Sequence, residues 1–408
     1  MLFCSSLLWV HVLCTASFFA QSRPADATRA TILPEFQRLG MTVGVQGGRP
    51  NCSLFAITAL ANFEWLGSEP DPPVRFSEEY LLWSAKRFSS SKDDGAMFYE
   101  AILGLSNYGI CRSELMPYLA KPEPASKPSE EASKDAASRS RRWRVHWIRR
   151  WNVALPMTDA ELAEIKRTIR SGHPVACGLR WPKNGVAERL MAPPAPDDVM
   201  DGHSIVFVAY EDDAAMPGGG AFRFRNSRGR GWGEDGYGLM SYAYARAYAN
   251  DAVWLELGPP DSERPLESFE AERLEAEEKG SCELSTQDMR EWCRKMWSGG
   301  RQLLCRARDG GRLQLGFVVK RGGTYRVRVR LTAGPDYGRI QASLNGGPAS
   351  ESCDLYSGKV SPAGYLELGV HELKSGKHSL RFTVIGKHAA STGTSFGIDT
   401  VELLRKAG

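Results

Sequence analysis

The sequence predicts an α+β domain whose helices precede its strands, followed by an all-β antiparallel sandwich of jelly-roll type. Three observations predict this. An apolar stretch opens at Cys52 and runs without Pro or Gly to Gly67, which is the pattern of a buried helix. Strand-like runs then appear at 175–179, 204–210, 222–225, 237–242 and 252–257. Beyond the first domain the period is two: Tyr325, Val327, Val329 and Leu331 alternate with Arg326, Arg328 and Arg330, and Leu380, Phe382 and Val384 repeat it.

Each element has a local reason. Leu54, Phe55, Ile57, Leu60, Phe63 and Trp65 leave the first helix no polar face. Ser77 followed by Glu78 and Glu79 caps a second helix. Thr158-Asp159-Ala160-Glu161 is a capping box ahead of Leu162, Ile165 and Ile169, stopped by Gly172 and Pro174. Residues 119–142 are Pro, Ser, Ala, Glu, Lys and Arg in low-complexity order and read as a flexible insertion. Residues 258–266 read as a linker. Glycine turns such as Gly322-Gly323 and Asn345-Gly346-Gly347 punctuate the sandwich, 267–408.

With 408 residues, a leader and two domains are expected, the first spanning 28–257. Hydrophobic content of 42% and charged content of 25% are those of a folded chain. A net charge of +4 without a basic stripe excludes no fold, but it gives no reason to expect a nucleic-acid partner. Trp143, Val145 and Trp147 alternate with Arg144 and His146, which reads as a strand with one buried aromatic face. Residues 1–27 read as an export leader, apolar from 2 to 20, with cleavage after Ala20 or Ala27. No Lys or Arg precedes Arg23, and an uncleaved leader would anchor the chain in a membrane. The expected location is secreted, periplasmic or extracellular, with the anchored form as the alternative.

Of nine cysteines, Cys4 and Cys14 lie in the leader. The seven that remain suit one reactive thiol and up to three bridges. Cys177 sits in a buried-strand pattern and reads as a packed thiol, while a pair among Cys282, Cys293 and Cys305 is not assignable. No Cys/His spacing suits zinc.

The chemistry is carried by Gln46, Cys52, His203 and Asn226, in that order. A thiol attacks a carbonyl as thiolate, and a helix N-terminus and a neighbouring imidazolium both favour that form. Cys52 opens the helix. His203, in Asp201-Gly202-His203-Ser204, would take its proton. Asn226, in Arg225-Asn226-Ser227, would hold the ring, and Gln46 with the Cys52 backbone N–H would hold the oxyanion. Each residue alone is more often structural; the ordered set is what points to acyl transfer.

The set resembles papain-like cysteine peptidases over about residues 35–257. Gln46 precedes Cys52 by six residues as in that family, Phe55-Ala56 comes after it, and Gly231-Trp232-Gly233-Glu234-Asp235-Gly236-Tyr237-Gly238 is similar to the family's glycine- and tryptophan-rich stretch. His203 and Asn226 lie 151 and 174 residues past the cysteine, beyond the roughly 130–150 usual there. The resemblance implies a two-lobed papain-like fold, a helical lobe against a β-barrel-like lobe, and hydrolysis of protein or peptide bonds through a Cys52 thioester, with no cofactor. Three departures stand out. Ser53 and Arg228 occupy positions where the family has tryptophan, the second of which shields the His–Asn bond, and Arg49-Pro50-Asn51 lacks the family's disulfide cysteine. The stretch between leader and Gln46 is too short for the family's inhibitory pro-segment. A peptidase-like fold that binds without cleaving is the alternative. Transglutaminase-like transfer is disfavoured, because that chemistry usually orients its histidine with aspartate.

Phe269-Glu270-Ala271-Glu272, Trp297-Ser298-Gly299-Gly300-Arg301 and Phe396-Gly397-Ile398-Asp399 resemble galactose-binding or carbohydrate-binding-module sandwiches of secreted bacterial proteins. That resemblance implies attachment to a glycan or cell surface, and a structural calcium held by Glu270, Glu272 and Asp399. The chain is expected to act as a monomer.

Overall fold

Helix Cys52–Ser68 is buried on nearly every face, because it lies between the remaining helices and a broad sheet. The computed structural model describes residues 28–68, 74–122, 126–184, 190–259, 262–293 and 296–405. The leader expected at 1–27 lies outside them. Among the described residues no helix is long and apolar enough to cross a membrane.

Helices Glu78–Ala85 and Phe98–Tyr108 complete the helical lobe. Ser77 accepts from the Tyr80 N–H, which fixes where the first of these begins. Against them stands a sheet ordered Trp143–Arg149, Ala249–Leu257, Val175–Pro182, Val199–Asp212, Gly220–Arg225, Tyr237–Ser241. The pairings along that path are antiparallel. Helix Asp159–Arg170, started by the Thr158–Glu161 capping box, covers its far side with Leu162, Ile165 and Ile169. The sheet thus has two apolar faces, one on the helical lobe and one on its own core.

The second domain is two antiparallel sheets face to face, one including strands Arg312–Val319, Gly338–Leu344 and Gly376–Lys387, the other Arg301–Arg306, Gly323–Ala333 and Phe396–Arg405. Val327, Val329, Leu331, Phe382, Phe396 and Ile398 fill the space between them.

Three expectations need correction. Residues 119–142 are not a flexible insertion throughout: Glu130–Ala137 is a helix capped by Ser129, and Ala132 and Ala136 pack against Tyr80, Cys111 and Met116. Two small residues one turn apart provide a docking face that composition alone conceals. Residues 258–266 are not a free tether either. Strand Pro265–Glu270 begins within them, and Glu263 is buried under the guanidinium groups of Arg144, Arg326 and Arg328. Finally, Cys52, Cys111, Cys177, Cys282, Cys305 and Cys353 are all free thiols, so no bridge joins these described cysteines.

The two domains share a core. Phe88, Tyr99 and Leu103 of the helical lobe pack with Met289, Met296 and Trp297 of the sandwich. Within the sandwich, Arg328 adds a cation–π contact 3.6 Å from the Tyr365 ring centre and an ion pair to Glu402.

Candidate active site

Cys52 is the first residue of its helix, an end whose backbone N–H groups favour an anion. Its Sγ lies 3.8 Å from the carbonyl oxygen of Gly202, the residue before His203. The helical lobe therefore presents the thiol to the strand Val199–Asp212, which carries the histidine.

The His203 Nε2 is 2.9 Å from Asn226 Oδ1. The same oxygen accepts from the Ser227 N–H at 2.8 Å, so the amide is held with its oxygen toward the ring. Nε2–H is thereby the donor to Asn226, and Nδ1 is the nitrogen left to exchange a proton. Trp181 packs edge-on against the imidazole, ring centres 4.3 Å apart, and touches Phe224 and Trp232 in turn. Sequence reasoning missed Trp181. Its strand, Val175–Pro182, pairs with the histidine's, and register is what brings the indole to the ring. The aromatic ring packed on the histidine thus comes from a neighbouring strand, while position 228 holds an exposed arginine.

Gln46 reaches the site from the loop ahead of the helix. Its Oε1 accepts from Ser227 Oγ at 2.5 Å and its Nε2 donates to the Arg49 carbonyl at 2.9 Å. Those two bonds fix the amide's orientation and leave one N–H to donate. A backbone bond from Gln46 N–H to the Ser227 carbonyl, and one from the Tyr118 hydroxyl to the Gln46 carbonyl, tie the loop to both lobes.

Arg49 holds the same loop from below. It is almost fully buried and donates to both Asp94 oxygens at 2.8 and 2.9 Å, to Glu79 at 2.6 Å and to the Leu119 carbonyl at 2.8 Å. Asp94 is held below the usual carboxylate range by the Arg49 bonds. This bidentate clamp stands in the stretch that lacks a cysteine. Ser53 is buried and donates to the Ala96 carbonyl at 2.5 Å, which ties the first helical turn to the segment leading into helix Phe98–Tyr108.

Burial raises the Cys52 thiol above its ordinary value. Burial also lowers the His203 imidazole to about 4, and the charge of Arg228 pushes the same way, against the Asn226 bond. Neither charge is favoured by itself.

The three carboxylates of the calcium expectation lie on strand Pro265–Glu270, on the turn Ala271–Arg273 and on strand Phe396–Arg405. Glu270 Oε2, Glu272 Oε2 and Asp399 Oδ2 are buried without hydrogen-bond partners, but among the described residues no three His, Cys, Asp or Glu side chains converge to hold a metal. Arg330 Nη1 lies 3.2 Å from Asp399 Oδ2, and Ser298 binds both Asp399 and Glu270. Arg330 thus gives Asp399 a counter-charge.

Comparison with protein families and with curated proteins returns no match. Among solved structures the chain is similar to xylellain, a cysteine protease from Xylella fastidiosa, at 24% identity and TM-score 0.48 over 57% of this chain and 87% of that one. It is similar to the cysteine protease and lectin-like domains of Cwp84, a surface layer associated protein of Clostridium difficile, at 15% identity and TM-score 0.49, covering 90% and 77%. A third similar structure is digestive procathepsin L 3 of Tenebrio molitor larval midgut, at 18% and 0.42, covering 58% and 72%. In this chain's own geometry a helical lobe opens its central helix with Cys52 and faces a sheet carrying His203 and Asn226, and a β-sandwich comes after them: the fold is papain-like, with an appended sandwich.

Proposed function

We propose that this protein is a secreted cysteine peptidase that hydrolyses protein or peptide bonds as a monomer, through a thioester on Cys52. The observation that carries the reading is the pairing of His203 with Asn226 beneath Trp181, opposite a helix that opens with a thiol. In this reading Nδ1 of His203 takes the Cys52 proton, and Sγ attacks the substrate carbonyl. The oxyanion takes the remaining Gln46 N–H and the Cys52 backbone N–H. His203 then gives its proton to the leaving amine, and water releases the acyl group by the reverse steps. The sandwich would fix the enzyme to a glycan or cell surface.

One observation favours a second reading, a binding protein on a peptidase fold: burial disfavours both the Cys52 thiolate and the His203 imidazolium. Incubation with an unfolded protein substrate separates the two. The peptidase reading expects fragments from the wild type and none from Cys52→Ala; an intact substrate with both, alongside equal binding, would establish the second reading.

A further inference from the structure

We propose that Arg228 binds the carboxylate of an acidic substrate residue that directly follows the scissile bond. The inference rests on the peptidase reading for its chemistry. In the collapse of the tetrahedral intermediate, His203 must reach the leaving amine, so the residue that leaves lies along the wall formed by His203, Asn226 and the loop 227–229.

Arg228 is on that wall. It comes two residues after Asn226, and its backbone bridges to Val45, the neighbour of Gln46, while the Gly229 N–H donates to the Gly44 carbonyl. The loops of both lobes thus meet at Arg228, next to Gln46 on one side and Asn226 on the other. Val45 is 64% exposed there, an apolar surface beside the charge.

The other arginines of this segment are engaged. Arg223 pairs with Glu234, Arg230 with Asp235, and Arg225 donates to the Met41 carbonyl and Tyr237 OH. Arg228 is exposed and makes no side-chain hydrogen bond or ion pair among the described residues. Its field nevertheless reaches His203, where it disfavours the imidazolium. A substrate carboxylate beside Arg228 would satisfy the guanidinium and cancel that field while the proton is being moved. An acidic residue is therefore favoured both by pairing and by what it does to the histidine, and a lysine is disfavoured by both.

The test uses internally quenched peptides identical except for Glu, Ala or Lys directly after the cleaved bond. Cleavage is monitored with the full chain, and binding of the same peptides is monitored with Cys52→Ala. The wild type should favour Glu over Lys by about five-fold, the size of one exposed ion pair, and Arg228→Glu should reverse the order. Arg230→Glu, which alters a nearby charge of the same sign, should leave the order unchanged. Equal handling of Glu and Lys peptides, or the same reversal by both arginine variants, would overturn the proposal. Cleavage and binding separate the two claims: binding that depends on Arg228 without cleavage supports the subsite and removes the peptidase reading, whereas cleavage indifferent to Arg228 does the opposite.

Discussion

The indole of Trp181 meets the imidazole of His203 edge-on, with ring centres 4.3 Å apart, while Nε2 of the same ring lies 2.9 Å from Asn226 Oδ1. Water that competed for Asn226 Oδ1 would loosen the ring and its orientation. Trp181→Ala is therefore expected to lower kcat by about ten- to a hundred-fold with a smaller change in KM, since misplacing a reacting group is costly. Trp181→Phe should recover most of the loss, because a ring still covers the bond. Steady-state kinetics on the three proteins checks this, and a change confined to KM would contradict it.

Arg49 shares its charge with Glu79 and Asp94 in a nearly dry setting. Arg49→Met leaves two carboxylates without their counter-ion and is expected to cost about 3–5 kcal/mol in urea unfolding. It also removes the clamp under the Gln46–Cys52 loop. In the fraction that stays folded, thiol reactivity should fall too. Arg49→Lys, which cannot bond Asp94 through a two-pronged fork, should fall between the two.

The order of helices and strands was legible because apolar periodicity changes from helical to two-fold after Gly172, and Ser77 and Thr158 mark helix starts. Gln46, Cys52, His203 and Asn226 stood out because acyl transfer needs those residue types; in the structure Cys52 meets the Gly202 carbonyl next to His203, His203 meets Asn226, and Gln46 meets the adjoining Ser227. Trp181 and Arg49 act through partners fixed by strand register and by side chains 30 and 45 residues away, which no local pattern encodes. The helix Glu130–Ala137 was concealed by its composition, since alanines count as apolar only once a surface is there to receive them. Around Glu270 and Asp399 the structure adds partners that the local pattern did not show: Ser298 bonds both, and Arg330 pairs with Asp399.

The low proton affinity of His203 sets a pH limb. Its folded value of about 4 lies below the ordinary 6.5, so the ring is neutral and able to accept the thiol proton at neutral pH. Alkylation of Cys52 should hold steady across neutral pH and fall as pH drops through about 4, where protonated His203 no longer takes the proton. A fall centred at 6.5 would show that burial does not govern the ring. The same depression means that the unfolded chain binds the extra proton first. Stability is therefore expected to decline from pH 6.5 toward 4, less steeply in His203→Gln.

Glu263 joins the domains by accepting from Arg144 of one and from Arg326 and Arg328 of the other. Glu263→Ala leaves that buried positive charge short of a partner, although Arg328 keeps Glu402. A loss of about 3 kcal/mol is expected. Protease nicking near residues 258–266 should appear in the variant and not in the wild type. Equal resistance would place the domain junction's strength in the Phe88–Trp297 core instead.

The central claim is that Cys52 is activated by His203. Labelling of the purified protein with an epoxide selective for papain-type thiols, read by intact mass and peptide mapping, tests it directly. One label per chain at Cys52 is predicted in the wild type, none there in Cys52→Ala, and a label slowed by at least about a hundred-fold in His203→Ala. A folded, reduced wild type that takes no label, or takes it as fast without His203, would contradict the claim.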